Sequence, residues 1–178
     1  KRMFWKGSQH ESRDVSCVNC HSVHHSKGDN LLAKATQSET CFQCHQLRKM
    51  QNMKSSHMPL REGKMQCTDC HNPHGSAGPK LLAQNSTNEN CYACHAEKRG
   101  PFLWEHPPVR ENCLNCHDAH GSRQNTRLLN FMLRAKAGNS VVSASRSGRL
   151  EFLPDPARPG RGSCFLKCHG AEHDPKSY

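Results

Sequence analysis

No apolar run in this chain of 178 residues approaches the ~18 residues that a membrane-spanning helix needs, which excludes such a helix. Apolar residues are scarce throughout, at 34% against the ~45–50% of an ordinary globular domain, and aromatic residues reach only 6%. Too little apolar side chain is present to fill a conventional interior. Also missing are the apolar stretch of a signal peptide at residues 1–7 and any alternating strand pattern of useful length. Disorder is excluded as well, because the polar excess lies in 14 His and 12 Cys rather than in runs of one charge. The composition calls for a bound prosthetic group in place of a core.

The twelve cysteines form six pairs, and in every pair the second Cys is followed directly by His. Five pairs read Cys-x-x-Cys-His: Cys17, Cys20 and His21; Cys41, Cys44 and His45; Cys67, Cys70 and His71; Cys91, Cys94 and His95; Cys113, Cys116 and His117. The sixth, Cys164, Cys168 and His169, has one extra residue between its cysteines. Disulfides account for an even Cys count, and the spacing of Cys20 from Cys41 and of Cys70 from Cys91 suits a zinc site, but neither explains six histidines. Cys-x-x-Cys-His is the attachment signature of c-type haem, and six such coincidences have odds on the order of 10⁻⁷ by chance. Two thiols add to the vinyl groups of one haem and the adjoining His becomes the proximal iron ligand. The cofactor expected is six haems c.

Aligning the pairs exposes a repeat. Cys17 to Cys67 is 50 residues, Cys41 to Cys91 is 50 and Cys67 to Cys113 is 46, so the chain is three copies of a two-motif unit. Each unit has an upstream His (His10, His57, His106), a His three residues beyond the first proximal one (His24, His74, His120), and then a Leu pair (Leu31-Leu32, Leu81-Leu82, Leu128-Leu129). Six patterned histidines match six irons, which points to ligation by two imidazoles each. His24, His74 and His120 are each expected to serve the second haem of their own unit, and the upstream histidines the first. His25 and His173 are read as unligated, and Met50, Met53, Met58 and Met65 as packing against porphyrin.

The expected fold is mostly irregular with short α-helices and no significant β-sheet: a single hexahaem domain over 1–178 whose three di-haem repeats (10–50, 57–100, 106–173) wrap on a haem chain. Thr36 to Glu39 and Ser86 to Glu89 read as helix-starting capping boxes, with helices running to near Met50 and Gly100. First motifs run into turns, as at Asn72-Pro73-His74-Gly75. An insertion, 130–163, carries six basic residues against two acidic ones and reads equally as a docking arm or as a solvated loop. The net charge of +10 balances haem propionates, since six ferric haems lower it to about +4 and six ferrous ones to about −2. Nucleic acid is therefore not an expected partner.

The stretch from Gly100 to Ser122, through His106, the fifth motif and His120, resembles the periplasmic multihaem cytochromes with paired Cys-x-x-Cys-His motifs, which include decahaem members of outer-membrane electron conduits. The resemblance covers about residues 10–130. It implies closely spaced bis-histidine haems, with His21, His45, His71, His95 and His117 proximal and His10, His24, His57, His74, His106 and His120 in the other ligand positions. It also implies a place in the periplasm or outside the cell. Six motifs rather than ten, the widened sixth motif and the insertion depart from that pattern and leave room for a membrane-complex subunit or a filament-forming cytochrome. The function expected is electron transfer between redox partners, other multihaem cytochromes or a membrane-complex subunit. The alternative is a multihaem reductase of nitrite, hydroxylamine or a sulfur oxyanion, which needs one iron with an open position.

Overall fold

The computed structural model describes residues 4–103, 107–122, 128–129, 142–143, 145–149, 151–158, 161–168 and 171–177. Through the repeats the chain makes only short helices: α1 (Cys17–Cys20), α2 (Gln37–Phe42), α3 (Gln46–Asn52), α4 (Thr87–Tyr92) and α5 (Pro107–Glu111), with single 3-10 turns at Cys67–Asp69, Ala96–Lys98 and Cys113–Asn115. The capping residues act as their chemistry requires. Thr36 accepts from the Glu39 backbone N–H at 3.1 Å while Glu39 accepts from the Thr36 N–H at 3.2 Å, and Ser86 accepts from the Glu89 N–H at 3.1 Å. The expected longer helices are each broken at a motif histidine. His45 (φ −90°, ψ 56°) and His95 (φ −111°, ψ 51°) leave the helical region before a second turn begins.

The Leu pairs mark a recurrent return of the chain. His21 bridges to Leu32, His71 to Leu82 and His117 to Leu129, each antiparallel. In the first two repeats, Ser22 N–H donates to Leu31 O and Asn72 N–H to Leu81 O, both at 2.8 Å, while Ala33 and Ala83 N–H reach back to Cys20 O and Cys70 O at 2.9 Å. Asn30 (φ 55°), Leu31 (φ 61°), Lys80 (φ 52°) and Leu81 (φ 59°) are left-handed, and Leu128 (φ 61°) repeats the conformation in the third unit. For L-residues this costs roughly 1–2 kcal/mol each, so the turn is held by the bonds around it.

The C-terminal part adds a feature that was not expected. Strands β1 (Val142–Ser143), β2 (Glu151–Pro154), β3 (Gly162–Cys168) and β4 (Ala171–Ser177) form an antiparallel sheet in which β3 pairs with the other three. The irregular description with short helices holds for the described residues up to 129, and the sheet lies within 142–177, so it falls in the third repeat and reaches into the insertion. β4 reads Ala-Glu-His-Asp-Pro-Lys-Ser and has no apolar alternation, so its pairing is carried by backbone. Pro175 is tolerated because the register slips between Cys164 and Leu166, leaving a bulge where no N–H is needed. Phe165 is the lone buried apolar side chain among the described residues, with the Arg149 guanidinium 3.7 Å from its ring centre.

The chain exposes 12840 Å², whereas a folded protein of its mass exposes about 8,700 Å². Val18 (78% exposed), Val23 (71%) and Leu103 (90%) have little protein against them. No helix among the described residues is long and apolar enough to cross a membrane.

Candidate metal centres

Five of the six motifs share one local geometry. The backbone N–H of the histidine donates to the carbonyl of the first cysteine: His21 to Cys17 at 2.9 Å, His45 to Cys41 at 3.0 Å, His71 to Cys67 at 2.9 Å, His95 to Cys91 at 2.9 Å and His117 to Cys113 at 3.1 Å. This single turn puts two sulfurs and an imidazole on one short loop, which explains the two-residue spacing. The sixth pair departs from it. Cys164 and Cys168 lie along β3, where four residues of strand span about 13 Å. His106 and His169 lie outside the described residues, as does the Cys168 side chain.

The Leu-pair return fixes the proximal rings. His21 Nδ1 donates to Asn30 O at 3.0 Å and His71 Nδ1 to Lys80 O at 3.1 Å, carbonyls presented by the left-handed residues. A ring that spends its Nδ1 proton this way keeps the Nε2 lone pair for a metal. The Leu landmark was visible in the sequence, but its role in aiming a carbonyl was not.

Three pairs of histidine rings face each other at closely similar separations. His21 and His74 have centres 5.9 Å apart with planes 10° from parallel, His71 and His120 are 6.2 Å apart at 14°, and His10 and His45 are 6.1 Å apart at 58°. Two imidazoles on opposite sides of one metal, each with a metal–nitrogen bond of about 2.0 Å and about 1.1 Å from nitrogen to ring centre, have centres about 6.2 Å apart. The spacing and the donor chemistry thus suit one iron per pair. His10 is also aimed, its Nδ1 donating to Pro73 O at 2.8 Å. Burial first, and then Arg48 and His71, hold the His120 pKa down at about 4, so its ring is neutral; burial and His10 likewise lower that of His45.

These pairs differ from the expected assignment. His74 stands beside His21 rather than His95, His120 beside His71, and His10 beside the second-motif His45 of its own repeat. His57 meets no ring among the described residues: its Nδ1 donates to Met58 O at 2.7 Å, Arg61 donates to its Nε2, and Glu62 lies 3.6 Å away. His24 is exposed and lines a cleft with Cys17, Val18, His21 and Val23. Met50 and Met53 are exposed, at 63% and 65%.

The cysteines run in chain order through space. Burial and the neighbouring Cys44 raise the Cys20 pKa; burial and Cys94 raise that of Cys70 despite a lowering hydrogen bond from Asn90. Cys41 and Cys67 share a side-chain hydrogen bond that pulls Cys67 down to about 7 and pushes Cys41 up, and burial together with Cys113 pushes Cys91 up to about 12. Motif one therefore adjoins two, two adjoins three, three adjoins four and four adjoins five. Two side chains that sequence reasoning missed hold this order. Gln37 of α2 donates to Thr68 Oγ1 at 2.9 Å and accepts the Thr68 N–H at 2.9 Å, and buried Asn88 of α4 donates to Val109 O and accepts the Cys113 N–H at 2.8 Å.

No disulfide joins the described cysteines, and among the described residues no three His, Cys, Asp or Glu side chains converge on one point. Among the described residues the tetrahedral zinc reading thus finds no cluster of ligands. Thiols paired on turns and tethered imidazoles about 6 Å apart together define a multihaem c-type cytochrome. The profile of the family described as doubled CXXCH motif matches residues 10–50, 57–100 and 106–141, and the chain belongs to that family. It is 44% identical to the multiheme cytochrome MtrA of Shewanella baltica (strain OS185), over 97% of this chain and 55% of the relative. The chain thus spans about half the length of the curated relative it matches. Its cofactor is haem c, with six attachment motifs in the chain.

Proposed function

We propose that this chain is an electron-transfer module that relays electrons between redox proteins outside the cytoplasm, without a substrate of its own. When bound, haem c supplies one-electron carriers whose iron alternates between ferric and ferrous states. The polypeptide's part is to set their order, their ligands and their surroundings. The observation that carries this reading is the unbroken sequence of adjoining cysteines, Cys20 with Cys44, Cys41 with Cys67, Cys70 with Cys94 and Cys91 with Cys113. Cys41 with Cys67 and Cys91 with Cys113 also share side-chain hydrogen bonds, and attachment points that neighbour one another in series suit conduction better than a solitary reaction centre.

The axial set supports the same conclusion. His21, His45, His71, His95, His117 and His169 are the proximal ligands, with His10, His74 and His120 opposite the partners given above; His24, His57 and His106 complete the candidate set. Two imidazoles on one iron would leave it no open position, so the ring pairs His21 with His74, His71 with His120 and His10 with His45 favour electron transfer over the reductase alternative. Lysines and arginines in excess offset the propionates, and the partners are other redox proteins, either multihaem cytochromes or a membrane-complex subunit. Location in the periplasm or outside the cell follows from the chemistry of haem c attachment and from the likeness to the MtrA cytochrome.

Transient absorption after photoinjection of an electron at one end of the holoprotein tests this. Cys67→Ala/Cys70→Ala removes the middle attachment and is expected to slow end-to-end equilibration at least tenfold. An unchanged rate, or turnover of nitrite or hydroxylamine by the intact protein, overturns the proposal.

A further inference from the structure

The ring facing each of the proximal histidines His21 and His71 belongs to the following repeat. We propose that every repeat completes the first iron of the repeat before it: His74 ligates the iron held by His21, and His120 the iron held by His71. The inference rests on the bis-histidine reading above and assigns its ligands. Its support is geometric. The two pairs have the same separation, 5.9 and 6.2 Å, and the same near-parallel planes, 10° and 14°.

The backbone is built for this reach. Gly75 follows His74 and Gly121 follows His120, with φ of 113° and 151°. A Cβ on Gly75 would lie 1.8 Å from Phe4 O, and one on Gly121 2.2 Å from Gln51 O, so each glycine lets its repeat touch the backbone of the preceding segment. The contact is reinforced by His10 donating to Pro73 O at 2.8 Å and by Ser122 N–H donating to Ser56 O at 2.8 Å. At the matching place in the first repeat stands His25 rather than Gly, and His24 is exposed.

Near-infrared magnetic circular dichroism of the holoprotein reads axial ligand pairs directly, and intact mass counts the haems. His74→Met should convert one haem of six to His/Met ligation and raise one potential. The His74→Met signature should vanish in a Cys17→Ala/Cys20→Ala background and persist in Cys91→Ala/Cys94→Ala. A His74→Met signature that disappears with Cys91 and Cys94 overturns the exchange between repeats. If instead the unsubstituted protein shows high-spin ferric haems and the substitution does not change them, bis-histidine ligation itself fails.

Discussion

The imidazoles of His21 and His71 are aimed by backbone carbonyls, and those carbonyls come from residues in the left-handed region. Asn30 suits that conformation because Asn tolerates it, whereas Lys80 does so against its preference. Lys80→Asn is therefore expected to leave stability unchanged or raise it by about 0.5 kcal/mol, and Lys80→Val to lower it by more than ~1 kcal/mol; thermal melts of the holoproteins check both. A second prediction separates strain from contact. Gly148 (φ 77°) has open space where a Cβ would go, so Gly148→Ala should cost only about 1 kcal/mol. Gly121→Ala meets Gln51 O as well and should cost about 3 kcal/mol or more, read from the same melts. At this scale the sequence was informative about chemistry and silent about aim. The cysteines and histidines announce their cofactor by spacing, but a Leu pair does not reveal that the residue before it turns a carbonyl toward an imidazole 9 residues away.

The helices are short, and their value lies in what their first turns hold. Asn88 is buried in α4, with its amide divided between Val109 O and Arg110 O and its oxygen taking the Cys113 N–H. Asn88→Ala strands these groups and should destabilise the holoprotein by about 1–3 kcal/mol. It should also raise hydrogen exchange at the amides of 109–113 while leaving 67–71 protected, which mass spectrometry resolves by segment. The capping box at Thr36 and the N-cap at Ser86, where the reciprocal bond from Glu89 is not made, were legible because a cap is a local contract between residues three apart. The sheet was not legible, because β4 is polar throughout and owes its place to backbone pairing with β3, a long-range choice without a side-chain period. Pairing of the rings was likewise hidden. Each repeat's histidines look self-sufficient in sequence, and only the glycine contacts between repeats bring His74 to His21.

For the molecule as a whole, the telling quantity is exposed area. The difference between 12840 Å² and the ~8,700 Å² of a packed protein of this mass is surface that the polypeptide does not cover for itself. A chain matured without haem should consequently lack a cooperative melt and scatter X-rays with an unfolded radius of gyration, about 45 Å against about 16 Å when folded. A compact apoprotein with a sharp transition would contradict this. Composition alone made this much plain, since 34% apolar residues cannot close a core. Composition could not show the order of the attachment points, which depends on contacts such as Cys41 with Cys67.

The placement of His74 beside His21 also has a consequence in time. A chain emerging N-terminus first delivers Cys17, Cys20 and His21 a full 53 residues before the imidazole that stands opposite. If His74 closes the iron of His21 as proposed, that centre stays half-finished until the next stretch has arrived and folded against it, whereas His10 precedes His45 and can close its centre at once. An interrupted chain would then betray itself by an open, reactive iron at its last first-motif histidine.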